Sequence, residues 1–248
     1  MIPEPTNNPA GRQEKSHRRY RGIIFDLDGT LLDTAKGVLE SVLYTTKTMG
    51  YEPPREDMMK TFIGPPIKHS LIKVYGIDEE EANRATEIFR NRYKDYDLLK
   101  ATPYDGLIGL LRSLKREGYL IGVATLKRED YALTLLEHYQ ISNYCDCICG
   151  SDFASKMQKT DVLDKCLKGL NLSPAEAVLI GDTASDGSGA KCSGTDFIAV
   201  TYASAPPTLM AGKSLSLFLS PVNRLTLVCF WAWRRKSERS HYEGNKIT

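Results

Sequence analysis

Short apolar runs alternate along this chain with stretches whose apolar residues recur at helical spacing. The first apolar run, Gly22-Ile-Ile-Phe25, stops at Asp26 and predicts a buried parallel strand. Over 34–48, Val38, Val42 and Leu43 lie on one helical face, and Gly50 with Pro53-Pro54 ends that helix. Residues 55–100 are polar and predict further helices, broken at Gly64-Pro65-Pro66 and at Gly76, with 79–96 as one long charged helix. From Pro103 the alternation resumes. It predicts helices over 107–116, 130–139 and 160–170 and strands over 119–124, 144–149, 177–180 and 197–200. Short strands alternating with helices specify a parallel sheet covered on both faces. The expectation is an α/β fold: a Rossmann-like three-layer parallel sheet core, with the polar stretch 36–100 as a small inserted helical cap. The core is expected over 21–35 and 101–225.

Ligands of such sheets bind beyond the carboxyl ends of the strands. Asp26, Thr125 and Asp182 each fall just past a predicted strand end. They are therefore expected to converge although they are far apart in sequence.

The composition fits a single folded protein: 248 residues, 42% hydrophobic and 26% charged. The formal net charge of +2 gives no reason to expect nucleic acid or a membrane surface as partner. No run of about 18 apolar residues suggests a spanning helix. The N-terminal 1–20 carries a basic cluster, Lys15, Arg18 and Arg19, and lacks an apolar signal segment, so a disordered basic tail and a cytoplasmic location are expected. The apolar-then-basic end, 226–248, is expected to be a second tail, its apolar part finishing a helix or packing on the core. Six cysteines without metal-type pair spacing suggest a reducing compartment. Cys145, Cys147 and Cys149 alternate, which places them on one strand face as small buried residues, with a metal site as the alternative.

The residues that carry chemistry open at Phe25-Asp26-Leu27-Asp28-Gly29-Thr30-Leu31-Leu32-Asp33-Thr34. Two carboxylates one residue apart after a strand can face one cleft, where one attacks and the other moves protons. A carboxylate nucleophile and an anionic phosphate repel each other unless a cation stands between them. This string resembles the first motif of the haloacid dehalogenase superfamily in its phosphatase form. The later motifs follow in order: Thr125 within Val123-Ala-Thr-Leu-Lys127, Lys159 within Lys159-Thr-Asp-Val162, and Gly181-Asp182-Thr-Ala-Ser-Asp186. Lys156 competes with Lys159 for the third motif.

The resemblance implies a mechanism. Asp26 attacks phosphorus, Asp28 serves as acid and then base, Thr125 binds a phosphoryl oxygen and Lys159 offsets charge. It implies Mg2+ held by Asp26, Asp28 (through its backbone carbonyl), Asp182 and Asp186, with Asp186 also a candidate helix cap. Leu126 stands where many relatives carry a polar phosphate contact. Thr61-Phe-Ile-Gly-Pro-Pro66 resembles the cap of phosphoglycolate phosphatases and 5′-nucleotidase-like members, which makes Lys68, Arg92 and Tyr93 candidate substrate contacts. The implied partner is a small phosphorylated metabolite, phosphoglycolate or a nucleoside monophosphate, handled by a monomer or homodimer. A β-phosphoglucomutase-like mutase and a non-catalytic binding protein are the rivals. Departures from the family pattern are Leu126, the Gly187-Ser-Gly189 stretch and Tyr202-Ala-Ser204, while 211–221 resembles its closing strand.

Overall fold

The computed structural model describes residues 20–154 and 156–200. The expected tail 226–248, residues 1–19 of the expected N-terminal tail, Tyr202 and the closing strand at 211–221 lie outside the described residues, whereas Tyr20, assigned to that tail, is buried and donates to Asp196 at 2.5 Å.

Five parallel strands form one sheet in the order β5-β4-β1-β6-β7. They are β1 (Gly22–Phe25), β4 (Leu120–Arg128), β5 (Cys147–Ser151), β6 (Ala177–Gly181) and β7 (Asp196–Ala199). Strand periodicity sorts their side chains onto two faces. Ile23, Phe25, Ile121, Val123, Val178 and Ile180 join one buried cluster, with Leu107, Leu111 and Leu114 of α5 (Leu107–Arg116) and Leu135 of α6 (Glu129–His138). Ile24, Ala124, Cys149, Ala177 and Leu179 join the other, with Val162, Cys166 and Leu167 of α7 (Lys159–Gly169) and Ala190 of α8 (Ala184–Ser193). The architecture is three-layered, as the alternation of apolar runs and helical stretches predicts.

Between the paired two-residue strands β2 (Leu32–Asp33) and β3 (Thr102–Pro103) the chain inserts helices. These are α1 (Ala35–Met49), α2 (Glu56–Met59), α3 (Ile67–Tyr75) and α4 (Glu79–Arg92). The β2–β3 pairing pins the exit and the return of this insert next to the Asp26–Thr34 string. The long helix expected over 79–96 stops at Arg92 and widens into a π-turn, Tyr93–Asp97.

That π-turn has an identifiable cause. Asp97 is fully buried and accepts from Ser41 Oγ at 2.9 Å, from Arg92 Nε at 2.8 Å, and from Lys100 Nζ at 2.7 Å. Burial pushes its carboxyl up, but Arg92, Lys100 and Ser41 outweigh this and hold it below the usual range. Removing Asp97 leaves Arg92 and Lys100 able to reach solvent, so the loss is that of the buried hydrogen bonds it accepts, about 1–3 kcal/mol. Asp97→Ala is therefore expected to lower the thermal midpoint by roughly 2–12 °C. A shift below 2 °C in calorimetry would show that the cluster does not hold the insert together.

Two strands differ from expectation by more than one residue. Strand β4 continues through Arg128, with an irregularity between Ala124 and Arg128, so Thr125 lies inside it rather than past its end. Strand β5 begins at Cys147 because Ser142–Tyr144 coil into a 3-10 turn. Cys145 therefore precedes the strand, and only Cys147 and Cys149 share its face.

Candidate active site

The sheet register gathers the motif residues before any side chain is considered. Phe25 pairs with Val123 on one side and Ile180 on the other. Asp26 thus stands level with Ala124 and Gly181, and its amide donates to Ile180 O at 2.8 Å. The chain then turns sharply at Gly29, whose φ is +78°. A Cβ there would come within 2.3 Å of Asp182 Oδ2, so only glycine lets this turn close onto Asp182.

Lys159 opens α7 and lies only 4% exposed. Its Nζ contacts Asp26 Oδ1 at 2.5 Å, Asp186 Oδ1 at 2.6 Å and Ala124 O at 2.6 Å. Lys159, rather than Lys156, is thus the lysine that meets Asp26. Burial opposes its charge, yet Asp26 and Asp186 hold its pKa above the ordinary lysine value. The bare face of Gly189 makes room for its stem, since a Cβ there would fall 2.7 Å from Lys159 Cγ. The departure at 187–189 therefore has a packing reason.

Carboxylate oxygens of Asp26, Asp182 and Asp186 lie within 4.8 Å of one another. Asp186 both pairs with Lys159 and closes the capping box of α8, accepting from the Thr183 amide and hydroxyl. Asp182 accepts from Thr30 Oγ1 at 3.2 Å and is the least enclosed of the three. Burial, then Asp186 and Asp28, press the Asp26 carboxyl up to about 7 despite Lys159. Burial and Asp186 raise Asp182 to about 6. An all-oxygen donor set in which burial and neighbouring carboxylates press Asp26 and Asp182 toward protonation suits a small hard cation. These residues fit Mg2+.

The Asp28 carboxylate stands apart from that cluster. It accepts from Thr34 Oγ1 at 2.5 Å and pairs with Lys127 Nζ at 2.8 Å. Burial opposes the charge of Lys127, but Asp28 and Tyr93 hold the ammonium well above the lysine range. Thr125 is 1% exposed, and its hydroxyl accepts from the Lys127 amide at 3.1 Å.

Asp28 and Lys127 line an open cleft between the insert and the core. Phe62, Phe89, Arg90 and Tyr93 face it from the insert, and Leu126, Arg128 and Tyr131 from the core. Leu126 and Tyr93 therefore line the cleft. Arg92 is not: Asp97 takes its guanidinium, which lies over the rings of Tyr44 and Tyr96 at 5.0 and 4.6 Å. Lys68 does not line the cleft either, and pairs with Glu79. Helical phase explains the Arg92 correction. Residues two apart on α4 point roughly 200° apart, so Arg90 faces the cleft and Arg92 faces α1. The residues missed by the sequence reading are Arg90, Lys127 and Arg128. The irregularity of β4 between Ala124 and Arg128 brings Leu126, Lys127 and Arg128 all to the cleft, so strand alternation offered no signal for Lys127.

A family model described as haloacid dehalogenase-like hydrolase matches residues 23–200. A protein of Pseudomonas aeruginosa named 5′-nucleotidase is 31% identical over 185 residues, spanning 74% of this chain and 84% of its own. A Mycobacterium tuberculosis protein named tyrosine-protein kinase PtkA is 33% identical, covering 73% of this chain and 62% of its own. The crystal structure of a predicted phosphatase from Clostridium acetobutylicum superposes with a TM-score of 0.70 at 36% identity, covering 74% of this chain and 85% of that one. Among the described residues no helix is long and apolar enough to cross a membrane. Fold, family model and relatives agree: this chain belongs to the haloacid dehalogenase-like hydrolases, and it is an enzyme of their phosphoric monoester hydrolase type.

Proposed function

We propose that the protein hydrolyses a small phosphomonoester through an aspartyl-phosphate on Asp26. The observation that carries this reading is the setting of Asp26 and Asp28. One lies between the Lys159 ammonium and two further carboxylates, and the other opens into the cleft beside Lys127. Asp26 Oδ attacks phosphorus, forming its bond to phosphorus as the bond to the leaving oxygen breaks. Asp28 gives that oxygen its proton, then takes one from the water that cleaves the acyl phosphate. Lys159 offsets charge on the transferring group while Thr125 binds one of its oxygens. Mg2+ held by Asp26, Asp182 and Asp186, with the Asp28 carbonyl, would supply charge neutralisation between nucleophile and phosphate. The helical insert, on this reading, closes the cleft as a cap and excludes water.

The cleft supports a substrate whose leaving portion carries a second anion. Arg90 reaches it from the insert, and Arg128, whose guanidinium Asp130 already holds, lies on the core side; both are within 5.0 Å of the Phe153 ring centroid. Burial, then the charge of Arg128, lowers the pKa of Arg90, as expected where two guanidiniums share one site. A carboxylate such as that of phosphoglycolate would relieve this. The Phe153 ring, 70% exposed, favours as a second reading a nucleoside monophosphate whose base stacks on it.

Phosphate release with Mg2+ across phosphoglycolate, nucleoside monophosphates, sugar phosphates and p-nitrophenyl phosphate tests both readings. Arg90→Ala is expected to cost about 10–100-fold in kcat/KM on acid-bearing substrates, the worth of one charge-assisted hydrogen bond, and little on p-nitrophenyl phosphate. Equal losses on both would refute a second-anion site. Transfer to a sugar hydroxyl without free phosphate would favour the mutase rival. No turnover of any substrate by the folded protein would favour a binding role.

A further inference from the structure

Two strand positions and one helix position bring three thiols together behind the sheet, on the face away from the cleft. The Sγ atoms of Cys147, Cys149 and Cys166 lie within 4.8 Å of one another, with Cys147 and Cys149 at 3.6 Å. Cys149 and Cys166 are buried, and Cys147 is half-buried at the edge strand β5, which leaves one side of the cluster open to entry. Glycines supply the space on two sides. A Cβ at Gly122 would meet Cys166 Sγ at 2.6 Å, and one at Gly169 would meet Cys147 Sγ at 2.5 Å. The three sulfurs thus occupy a notch that any larger residue at 122 or 169 would fill.

We propose that Cys147, Cys149 and Cys166 form a three-sulfur site for a soft thiophilic cation of the zinc or Cu(I) class. Sulfurs at this separation can each approach one ion at about 2.3 Å after small side-chain rotations. Soft thiolates select such ions over Mg2+, so this site and the oxygen site at Asp26 do not compete for the same metal. The helix links the two: Cys166 lies seven residues, about 10 Å, along α7 from Lys159, on the same buried face. The alternating spacing of Cys147 and Cys149 gives no metal-type pair, and Cys166 enters only because α7 packs across β4 and β5.

The test uses the full chain with Cys145, Cys192 and Cys229 replaced by Ser, reduced and freed of metal, then titrated with Cd2+. A thiolate-to-cadmium charge-transfer band saturating at one ion per chain is expected, with Zn2+ displacing it. Oxygen ligands give no such band, so Asp26→Asn should leave it unchanged. Cys147→Ser, at the half-exposed position where folding is least at risk, should abolish the one-to-one saturation and lower Cd2+ affinity at least tenfold, with folding checked by circular dichroism. A Cys147→Ser protein that binds Cd2+ as tightly as its parent would overturn the proposal. So would a reduced parent that gives no band, or a cluster that closes to a disulfide and takes no metal after reduction.

Discussion

Asp26→Asn is expected to lose at least about 10^4-fold of phosphate release while remaining folded. The side chain keeps its shape, so neighbours need not move, but an amide is not a nucleophile toward phosphorus. Loss of a covalent nucleophile typically costs in this range, the remainder coming from binding and charge stabilisation. Folding should survive because Lys159 retains Asp186 at 2.6 Å and Ala124 O at 2.6 Å. The change also removes one of three mutually repelling carboxylates. Phosphate release, measured beside circular dichroism, gives the answer. A folded variant within tenfold of the parent would exclude Asp26 as nucleophile.

The second large effect is on stability, and its sign follows from the raised carboxyls. Asp26 goes from 3.8 to about 7 and Asp182 from 3.8 to about 6 in the folded, metal-free protein. The folded state then binds protons more tightly than the unfolded chain between about pH 4 and 7. The stability this contributes is complete below the unfolded pKa and is lost as pH rises through the folded values. Asp97, held below its usual range, is ionised in both states above pH 5 and drops out of this window. Cys147, whose thiol is drawn down to about 6, works in the opposite sense over this window, so with Cys147→Ser and stripped of metal the protein should melt lower at pH 8 than at pH 5.5. At pH 8 the carboxylates are ionised and bind a cation best. Mg2+ at about 100 times its dissociation constant adds about 2.7 kcal/mol. That should raise the midpoint by roughly 5–10 °C at pH 8, and by clearly less at pH 5.5, where protons compete. Scanning calorimetry at both pH values, with Mg2+ and with chelator, measures it. A Mg2+ shift that is larger at pH 5.5 would contradict an ion held by these carboxylates.

Much of this molecule was legible in its residues because the signals were local. The apolar run Gly22–Phe25 is a strand with the predicted bounds, since four consecutive apolar residues stopped by Asp26 leave little choice. Helix α5 likewise begins at Leu107 and ends at Arg116, as its spacing predicts. The family assignment rested on motifs whose order along the chain is itself sequence. Boundaries failed where pairing with a neighbour decided the matter: β4 runs on to Arg128 because Arg128 finds a partner in Ser151, which no local pattern announces.

The sequence by itself determined the fold, the family and the set of acidic and basic residues at the strand ends, because strand and helix periods and motif order are written residue by residue. Only the tertiary structure decided which cation serves which anion. Lys159 meets Asp26, Lys127 meets Asp28, Arg92 is consumed by Asp97 and Arg90 is turned to the cleft. It also brought Cys166 to Cys147 and Cys149. Such pairings depend on helical phase and on packing between segments as much as 133 residues apart, as for Lys159 and Asp26, and a charge in a sequence carries no record of the direction it will face.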